Sequence, residues 1–279
     1  MTIREALASG IADLKEAGIE NSALDASLLL ARVLSTSRTA LTMSGSDPLP
    51  QEALSSFRSL IDRRLNGECV AYILEKKEWR GLEFLVNPSV LVPRPDTETM
   101  IDAALDILQS KKDARVLDLC TGSGNIAIAL KHEMPLLDVF AADISADALE
   151  TAKTNAARLL PGSPISFFLG DLYDALPSPF FLITCNPPYI PSDEIKTLSA
   201  EVQKEPLCAL DGGPSGLTTI KRVIEGAPDF LCQGGSLLLE ADSRQIKDIL
   251  PLFEKNGFSK IKIYNDLSGL ERVIGGVHE

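Results

Sequence analysis

Asn186 begins the short run "NPPY", which comes directly after the apolar segment "FFLITC". A residue before proline is biased toward extended backbone, and the two prolines fix their own φ angles and lack backbone N–H groups. The Asn186 carboxamide and the Pro187 carbonyl therefore have fixed directions at the end of a predicted strand. Two oriented acceptors beside an aromatic ring, here Tyr189, could bind a planar amide or an exocyclic amine. A proline-rich turn with an incidental asparagine is the alternative interpretation of the same residues.

A second candidate group, "DLCTGSGN", lies where a predicted strand passes into a predicted helix. Gly122 and Gly124 carry no side chains there, so the backbone can approach a ligand closely. The spacing differs from the G-x-G-x-x-G of a dinucleotide site, and a tight bend without a ligand is equally compatible with it. Asp143 strengthens the ligand interpretation, because it follows about 20 residues later, where a carboxylate can accept hydrogen bonds from ribose hydroxyls.

Three acids end successive predicted strands: Asp118, Asp143 and Asp171. By itself Asp171 would be interpreted as an N-cap, but neighbouring parallel strands would bring all three acids to one crevice. Carboxylates suit a nucleoside with a free sugar and repel a pyrophosphate. S-adenosylmethionine has no phosphate and carries a sulfonium cation, so we predict it as the cofactor. The predicted cofactor-binding residues are Cys120, Thr121, Gly122, Ser123, Gly124, Asp143, Asp171, Leu172 and Asn186.

The elements that must position these residues alternate between short strands and longer helices from about residue 113 onward. The predicted strands are "ARVLDLC", "DVFAADI", "ISFFLG", "FFLITCN" and "GSLLLE", followed by the closing strands "KIKIYN" and "ERVIGG". Alternation of this kind is typical of right-handed crossovers and a mostly parallel sheet. The sequence therefore predicts an α/β fold with its site at the carboxyl ends of the strands.

The first 65 residues or so have helical periodicity instead. In "NSALDASLLLARVL", apolar residues recur every three or four positions, and Ser22 with Asp25 resembles a capping box. A second helix is predicted from Pro50 to about Asn66. Its apolar face and its solvent-exposed face are predicted to consist of Leu54, Phe57, Ile61 and Leu65, and of Arg58, Asp62, Arg63 and Arg64, respectively.

Between these parts, "CVAYILEKKEWRGLEFLVN" has two β-rich runs around Gly81, which predicts a linking β-hairpin. We therefore expect three regions: a small N-terminal helical domain over residues 1–67, the hairpin over 68–92, and the α/β domain over 93–279. The run "PRPDTE" near the last boundary could be a stiff linker, a pocket wall, or both.

Composition restricts the class of protein further. The formal net charge is −12, which argues against strong sequence-independent binding of nucleic acid. The five cysteines and two histidines lack the spacing of a zinc site or of a nucleophilic dyad, so we predict no metal and reduced thiols. No apolar run approaches the ~20 residues of a membrane helix, and the N-terminus resembles neither a secretory signal nor a transit peptide. We expect a soluble, cytoplasmic protein.

The "NPPY" run beside a predicted cofactor crevice resembles the amino-methyltransferases. From about Ala114 the chain resembles the Rossmann-like S-adenosylmethionine-dependent methyltransferase fold. Together with "LVPRPDTE", "EPLCALDGGPSGL" and "DLSGLERVI", it is similar over nearly its whole length to the protein-(glutamine) methyltransferases that modify peptide-chain release factors. There are three departures from that family's pattern. Cys120 replaces a usual glycine, Glu75 stands where a glycine is common, and no glycine follows Glu240.

The resemblance implies a mostly parallel Rossmann-like sheet with an antiparallel strand near the C-terminus, preceded by the helical domain and the hairpin. It also implies methylation of the side-chain amide of a glutamine in a GGQ motif of release factors, with S-adenosylmethionine as methyl donor. Asn186, Pro187 and Tyr189 would then be catalytic, and they would bind the glutamine together with Pro188. The helical domain would recognise the body of the release factor. We expect a monomer without direct nucleic-acid or membrane binding.

Three alternatives remain at this point. An amino-methyltransferase acting on a nucleic-acid base could use the same "NPPY" run, although the acidic composition argues against it. A glutamine methyltransferase of a ribosomal protein would share nearly all the motifs. A non-enzymatic cofactor-binding protein is disfavoured by the presence of Asn186, Gly122, Gly124 and Asp143 together.

Overall fold

The computed structural model describes all 279 residues and divides into two compact units. The first unit is helical and consists of Met1–Lys76 with the short segment Ser199–Lys204. The second unit consists of Lys77–Leu198 and Glu205–Glu279. Sequence periodicity did not reveal that a segment from within the α/β region belongs to the helical unit.

The helical unit contains five helices. These are α1 (Ile3–Glu16), α2 (Ser22–Val33), α3 (Arg38–Met43), α4 (Gln51–Leu65) and α5 (Val70–Leu74). Its core includes the fully buried Leu14, Leu29 and Leu30. Gly10 allows α1 to approach α4, because a Cβ atom at this position would lie 2.7 Å from the Phe57 ring. The predicted helices are thus present, and Leu54, Phe57 and Ile61 of the predicted apolar face are buried. Leu65 was wrongly placed on that face, since it is exposed at the end of α4.

Two predictions about polar residues in this unit were wrong. The capping box lies at the start of α1, where Thr2 and Glu5 bond reciprocally, whereas no side chain caps α2. Asp25 instead accepts a 2.8 Å hydrogen bond from Arg64, which also pairs with Glu201. Arg64 is therefore buried rather than solvent-exposed, because two carboxylates compensate its charge.

The predicted hairpin is shorter than the sequence pattern indicated. Its strands are β1 (Lys76–Trp79) and β2 (Leu82–Leu85), and the preceding "VAYIL" run forms α5. Cys69, Tyr72 and Ile73 are all buried, and their spacing of three and four residues fits one face of a helix. Burial on that face outweighed the β propensity of the run.

The second unit contains a seven-stranded sheet in the order β5-β4-β3-β6-β7-β9-β8. Its strands are β3 (Arg115–Leu119), β4 (Asp138–Asp143), β5 (Ser166–Leu169), β6 (Phe180–Cys185), β7 (Leu231–Glu240), β8 (Phe258–Asn265) and β9 (Glu271–His278). Neighbouring strands from β5 to β7 are parallel, and β9 runs antiparallel to both β7 and β8. The predicted fold class is confirmed, including the antiparallel strand near the C-terminus.

The helices of this unit are α6 (Glu98–Leu108), α7 (Asn125–Glu133), α8 (Ala146–Leu159), α9 (Thr218–Phe230) and α10 (Ile246–Lys255). The central strands are buried on both faces, since Leu117 and Val116 of β3 belong to two different core clusters. This explains why the strands have continuous apolar runs rather than alternating ones.

The topology fixes where a site can form. The chain proceeds from β3 outward to β4 and β5, and then crosses back to place β6 on the other side of β3. Ligands of open α/β sheets bind at such a switch point, outside the carboxyl ends of the strands. The loops after β3, β4 and β6 carry the residues singled out in the sequence and meet at this edge.

Candidate active site

The loop that joins β3 to α7 contains the predicted cofactor-binding run from Cys120 to Gly124. Cys120, Gly122 and Gly124 have positive φ angles of 55°, 55° and 80°. A Cβ atom on Gly122 would meet no atom within 4 Å, so open space borders this part of the backbone. A Cβ atom on Gly124 would lie 3.1 Å from Ala152 of α8. Gly122 thus leaves room for a ligand, whereas Gly124 permits close helix packing.

Asp143 is the last residue of β4 and holds this loop in place. Its Oδ2 atom accepts a hydrogen bond from the Gly122 amide at 2.8 Å, and its Oδ1 atom accepts one from Ser145 at 2.9 Å. Burial raises the pKa of the Asp143 carboxyl, while the hydrogen bonds from these backbone amides oppose the rise. Each oxygen keeps a further lone pair, so the carboxylate can also accept hydrogen bonds from a bound ribose.

Asp118 does not join Asp143 at the crevice, which corrects the prediction of three acids at one rim. It is fully buried within β3 and accepts hydrogen bonds from Thr121 at 2.6 Å and Thr184 at 2.9 Å. Burial raises the pKa of Asp118 to about 7 against the effect of these hydrogen bonds. Asp118 precedes the last residue of β3, Leu119, and its side chain lies inside the protein rather than at the strand end.

Asp171 follows β5 and lies beside the next predicted cofactor residue, Leu172. The Asp171 carboxylate accepts a 2.9 Å hydrogen bond from Arg222 of α9. Leu172 is buried and has a φ angle of 55°. Asp171 is therefore no helix cap but half of an ion pair, and both of its members line the cavity described below.

Asn186 follows the last residue of β6, as the sequence predicted. Its Nδ2 atom donates a hydrogen bond to the Thr97 hydroxyl, with 3.3 Å between the heavy atoms. Because the amide nitrogen is used in this way, the Oδ1 atom is left to accept hydrogen bonds from a ligand. Thr97 lies within the quoted motif "LVPRPDTE", 89 residues before Asn186.

The four residues of the "NPPY" run differ in burial, and Asn186, Pro188 and Tyr189 are only partly buried. Pro187 is buried, and the Tyr189 ring packs against the core cluster that contains β6 and β7. Burial raises the pKa of the Tyr189 hydroxyl above its ordinary value. The Tyr189 carbonyl accepts a 2.9 Å hydrogen bond from Gln245, which fixes the backbone at the end of the motif.

One cavity of about 230 Å³ brings most of the predicted site residues together. Its lining contains Cys120, Thr121, Gly122, Ser123, Asp143, Asp171, Leu172, Asn186 and Pro188. Gly124, Pro187 and Tyr189 are not among the lining residues, so a direct contact of these three residues with a ligand stays a prediction. The "PRPDTE" run lines the cavity through Pro93, Arg94 and Thr97, so it forms part of the cavity wall.

Several lining residues had no signal in the sequence. They are Ser89, Val90, Ile144, Ala148, Thr219 and Arg222. Ile144 directly follows Asp143 and is 61% exposed, which is unusual for a large apolar side chain and fits contact with a flat ligand surface. An exposed apolar residue after a strand-end acid could have been noticed, whereas Arg222 could not, since only the crossover brings α9 to this edge.

Two of the departures from the family pattern occur at left-handed backbone positions. Glu75 ends α5 with a φ angle of 59°, and Cys120 begins the loop with a φ angle of 55°. A side chain in this region costs conformational energy that glycine does not incur. Glycine would therefore be the less strained residue at both positions, and these side chains are tolerated rather than required by the backbone.

The residues at this edge fit S-adenosylmethionine. Open space beside Gly122 allows close approach to the backbone, and Asp143 can bind ribose hydroxyls. Asp171 adds a second carboxylate, while the only guanidinium groups lining the cavity are those of Arg94 and Arg222. A cavity with carboxylates at its nucleoside end suits a cofactor that is cationic and lacks phosphate groups.

The sheet and this cavity define a Rossmann-like methyltransferase. The methyltransferase from Pyrococcus furiosus has the same fold, with a TM-score of 0.53 and 18% identity over 77% of this chain and 96% of its own. The catalytic domain of hMettl16, solved with an RNA hairpin, gives a TM-score of 0.59 at 15% identity over 78% of this chain and 81% of its own.

Sequence comparisons identify the family. Residues 5–74 match the PrmC N-terminal domain, and residues 97–204 match the methyltransferase small domain. The release factor glutamine methyltransferase of Geobacter sulfurreducens is 38% identical over 99% of this chain and 96% of its own length. That of Neisseria gonorrhoeae is 41% identical over 91% and 92%, respectively. The chain belongs to the release factor glutamine methyltransferases, which confirms the predicted enzyme class and methyl donor.

No helix of the chain is both long enough and apolar enough to cross a membrane.

Proposed function

We propose that this enzyme methylates the side-chain amide nitrogen of the glutamine in the GGQ motif of peptide-chain release factors, in the cytoplasm, and so tunes translation termination. The observation that carries the proposal is the Asn186 carboxamide, whose nitrogen is bonded to Thr97 and whose oxygen is left as an acceptor. Nearly full-length similarity to relatives named for this reaction supports the choice of acceptor.

A glutamine amide is a poor nucleophile, because its nitrogen lone pair is delocalised into the carbonyl group. We propose that the Asn186 Oδ1 atom and the Pro187 carbonyl accept the two N–H groups of the glutamine and turn the nitrogen lone pair toward the methyl donor. Acceptors that are oriented before the reaction need no reorganisation during it, so they stabilise the transition state more than water does. Pro187 and Pro188 restrict the backbone that carries these acceptors.

When bound, S-adenosylmethionine supplies an electrophilic methyl group, which passes from its sulfonium sulfur to the glutamine nitrogen. We propose that Gly122, Asp143 and Asp171 hold this cofactor in the cavity, with the loop from Cys120 to Gly124 and Leu172 completing its contacts. Positioning supplies much of the rate. The methylated amide is strongly acidic until it loses a proton to solvent, so this chain needs no strong general base.

We further propose that residues 1–67 form a domain that recognises the body of the release factor, with residues 68–92 as its connection to the catalytic domain, 93–279. The proposed reaction acts on one glutamine side chain, so discrimination between whole proteins requires another surface. The helical unit is compact and has its own core, which supports this division of labour.

The decisive test is a competition assay with labelled methyl donor and purified release factor, ribosomes and DNA as acceptors. We expect label only in the release factor, and mass spectrometry should locate it on the GGQ glutamine. Label in a ribosomal protein or in DNA would replace the proposed acceptor with one of the alternatives. Removal of residues 1–67 should abolish methylation of the factor while cofactor binding, measured by calorimetry, persists.

A further inference from the structure

Glu240 is a buried carboxyl group that the proposed reaction does not yet use. It is the last residue of β7, and only 2% of its surface is exposed. Its Oε2 atom has no hydrogen-bond partner in the protein. A buried carboxylate with an unsatisfied oxygen is costly, so it calls for a specific explanation.

The side chains around Glu240 connect it to Asn186. Strands β6 and β7 pair in parallel with Cys185 opposite Leu239, so Glu240 at the end of β7 lies at the level of Asn186. The polar side chains of Thr97 and Asn186 lie close enough to the Glu240 carboxyl to lower its pKa. Thr97 in turn accepts the hydrogen bond from Asn186 Nδ2 at 3.3 Å. Three segments far apart in the chain thus converge in one buried group: the turn before α6, the end of β6 and the end of β7. Thr97 is only 1% exposed, so water does not compete for these contacts.

The direction of the Asn186 amide decides whether it can act on a glutamine. With its nitrogen toward Thr97 and Glu240, Asn186 presents Oδ1, which accepts an N–H group of the substrate. After a rotation of 180° it would present its own NH₂ group to the NH₂ group of the substrate, and no hydrogen bond could form. A carboxylate has only acceptor atoms, so it favours the first orientation alone.

We propose that Glu240 is a positioning residue that, together with Thr97, fixes the Asn186 carboxamide in the orientation that binds the substrate amide. The inference rests on the proposed function of Asn186. A charged acceptor behind the amide also polarises it, which strengthens the hydrogen bond that Oδ1 accepts.

The charges facing Glu240 are compatible with this role. Arg272 of β9 lowers the pKa of Glu240, whereas Asp96, from the turn before α6, raises it. Glu240 in turn raises the pKa of the nearby Tyr189 hydroxyl. Arg272 is shared with two other acids, since it lies 3.1 Å from Asp266 and 3.3 Å from Asp96. Burial raises the pKa of Glu240 to about 7, against the opposing effects of Thr97, Arg272 and Asn186. The carboxylate therefore forms within the physiological range of pH.

The first measurement does not depend on methyl transfer. The side-chain N–H resonances of Asn186, identified by their loss in Asn186→Ala, should shift with pH in the unliganded enzyme, with a midpoint near 7. Glu240→Gln should abolish that titration. Asn186 resonances that do not titrate in the wild-type enzyme, or that titrate equally in Glu240→Gln, would overturn the proposal even if the enzyme methylates release factors normally.

The second measurement is turnover with a release factor at saturating cofactor, at pH 8. Glutamine at position 240 is similar in shape but offers an NH₂ group that can bond to Asn186 Oδ1 and turn it away. We expect Glu240→Gln to lower kcat on the order of ten- to a hundredfold, with little change in the cofactor dissociation constant. Thr97→Val should have the same effect, and Thr97→Ser should restore most of the activity.

A double-mutant cycle separates positioning from general damage. If Glu240 acts through Asn186, Glu240→Gln should change kcat less than about twofold in an Asn186→Ala background. Asp118→Asn is the matched control, because it also converts a buried carboxyl with a pKa of about 7 to an amide, but its hydrogen bonds come from Thr121 and Thr184. Any effect of Asp118→Asn should therefore add to that of Asn186→Ala. A wild-type kcat in Glu240→Gln, or an additive loss, would overturn the proposal.

Discussion

Asp118 and Glu240 are two buried carboxyl groups at the same edge of the sheet, but their surroundings differ. Each has a pKa raised by burial to about 7, and a threonine side chain opposes that rise at both positions. Both oxygens of Asp118 are satisfied, by Thr121 and Thr184. One oxygen of Glu240 is not. The protein therefore satisfies the buried carboxyl beside the cofactor loop by itself, whereas it leaves one oxygen of the buried carboxyl beside Asn186 without a hydrogen bond.

This difference separates a structural role from a functional one. Asp118 joins β3 to β6 and to the loop that begins at Cys120, so it stabilises the loop without entering the cavity. Glu240 is proposed to orient Asn186, which does line the cavity. An unsatisfied buried oxygen is a cost that folding alone would not favour. Its presence behind the acceptor site fits a group retained for the reaction.

The largest expected effect concerns Asn186, the residue that Glu240 is proposed to orient toward the substrate amide. Asn186→Ala should lower turnover on the order of a hundredfold or more, because it deletes one of two oriented acceptors in a site shielded from water. Asn186→Asp should fall between wild type and Ala, since a carboxylate still accepts a hydrogen bond. Turnover is measured with a release factor at saturating cofactor.

Two controls accompany this series. The cofactor dissociation constant and thermal unfolding of Asn186→Ala should stay near the wild-type values. Asn256→Ala, which changes a partly buried asparagine at the end of α10, should keep wild-type turnover. If the Asn186→Ala enzyme had the turnover of wild type, Asn186 would be only a turn residue, and binding of the substrate amide would need another explanation.

A smaller effect is expected on cofactor binding, through Asp143 in the loop region that Asp118 stabilises. Asp143→Ala should weaken cofactor binding by about tenfold or more, because the ribose loses a charged acceptor worth roughly 1.5 to 3 kcal/mol. Part of the loss will come from the loop, since Gly122 and Ser145 also donate hydrogen bonds to Asp143. Calorimetry measures the constant, and the exposed Asp113, at the opposite end of β3, supplies the matched control Asp113→Ala. Equal constants for the two variants would show that Asp143 serves the loop alone.

The smallest expected effect is on stability and involves both carboxyl groups. Because folding raises their pKa values to about 7, it favours their protonated forms. Their contribution to stability is fully present below the unfolded-state pKa near 4 and is lost as pH rises through 7. The free energy of unfolding should therefore fall by about 2 kcal/mol for each of the two groups between pH 5.5 and 7.5.

Urea denaturation across this range of pH measures that slope. Asp118→Asn and Glu240→Gln should each flatten it, and Glu240→Gln should be at least as stable as wild type at pH 7.5. Stability that rose from pH 5.5 to 7.5 in the wild-type enzyme would contradict the raised pKa values. A stable Glu240→Gln enzyme with poor turnover would sharpen the contrast between the two sites.

The sequence predicted the fold and the main site motifs because their signals are local. Glycine at a strand-to-helix turn, an acid at the end of the next strand and "NPPY" after β6 each depend on neighbours within a few residues. Their convergence follows from the parallel alternation of strands and helices, which is also visible in the pattern. The errors occurred where burial overrode local preference, as for α5, Arg64 and Asp118.

The role of each site residue in binding or catalysis stays a prediction, but the positions of the three chief motifs were determined by the sequence alone. Only the tertiary structure placed Thr97 behind Asn186 and brought Glu240 to both. These contacts join segments 89 and 54 residues from Asn186, and no periodicity encodes which side chains meet across a sheet. The same holds for pKa values, because a carboxyl group titrates near 7 only when folding removes water from it and leaves its charge incompletely compensated. Local pattern fixes the elements, whereas burial and partner choice are decided by the fold as a whole.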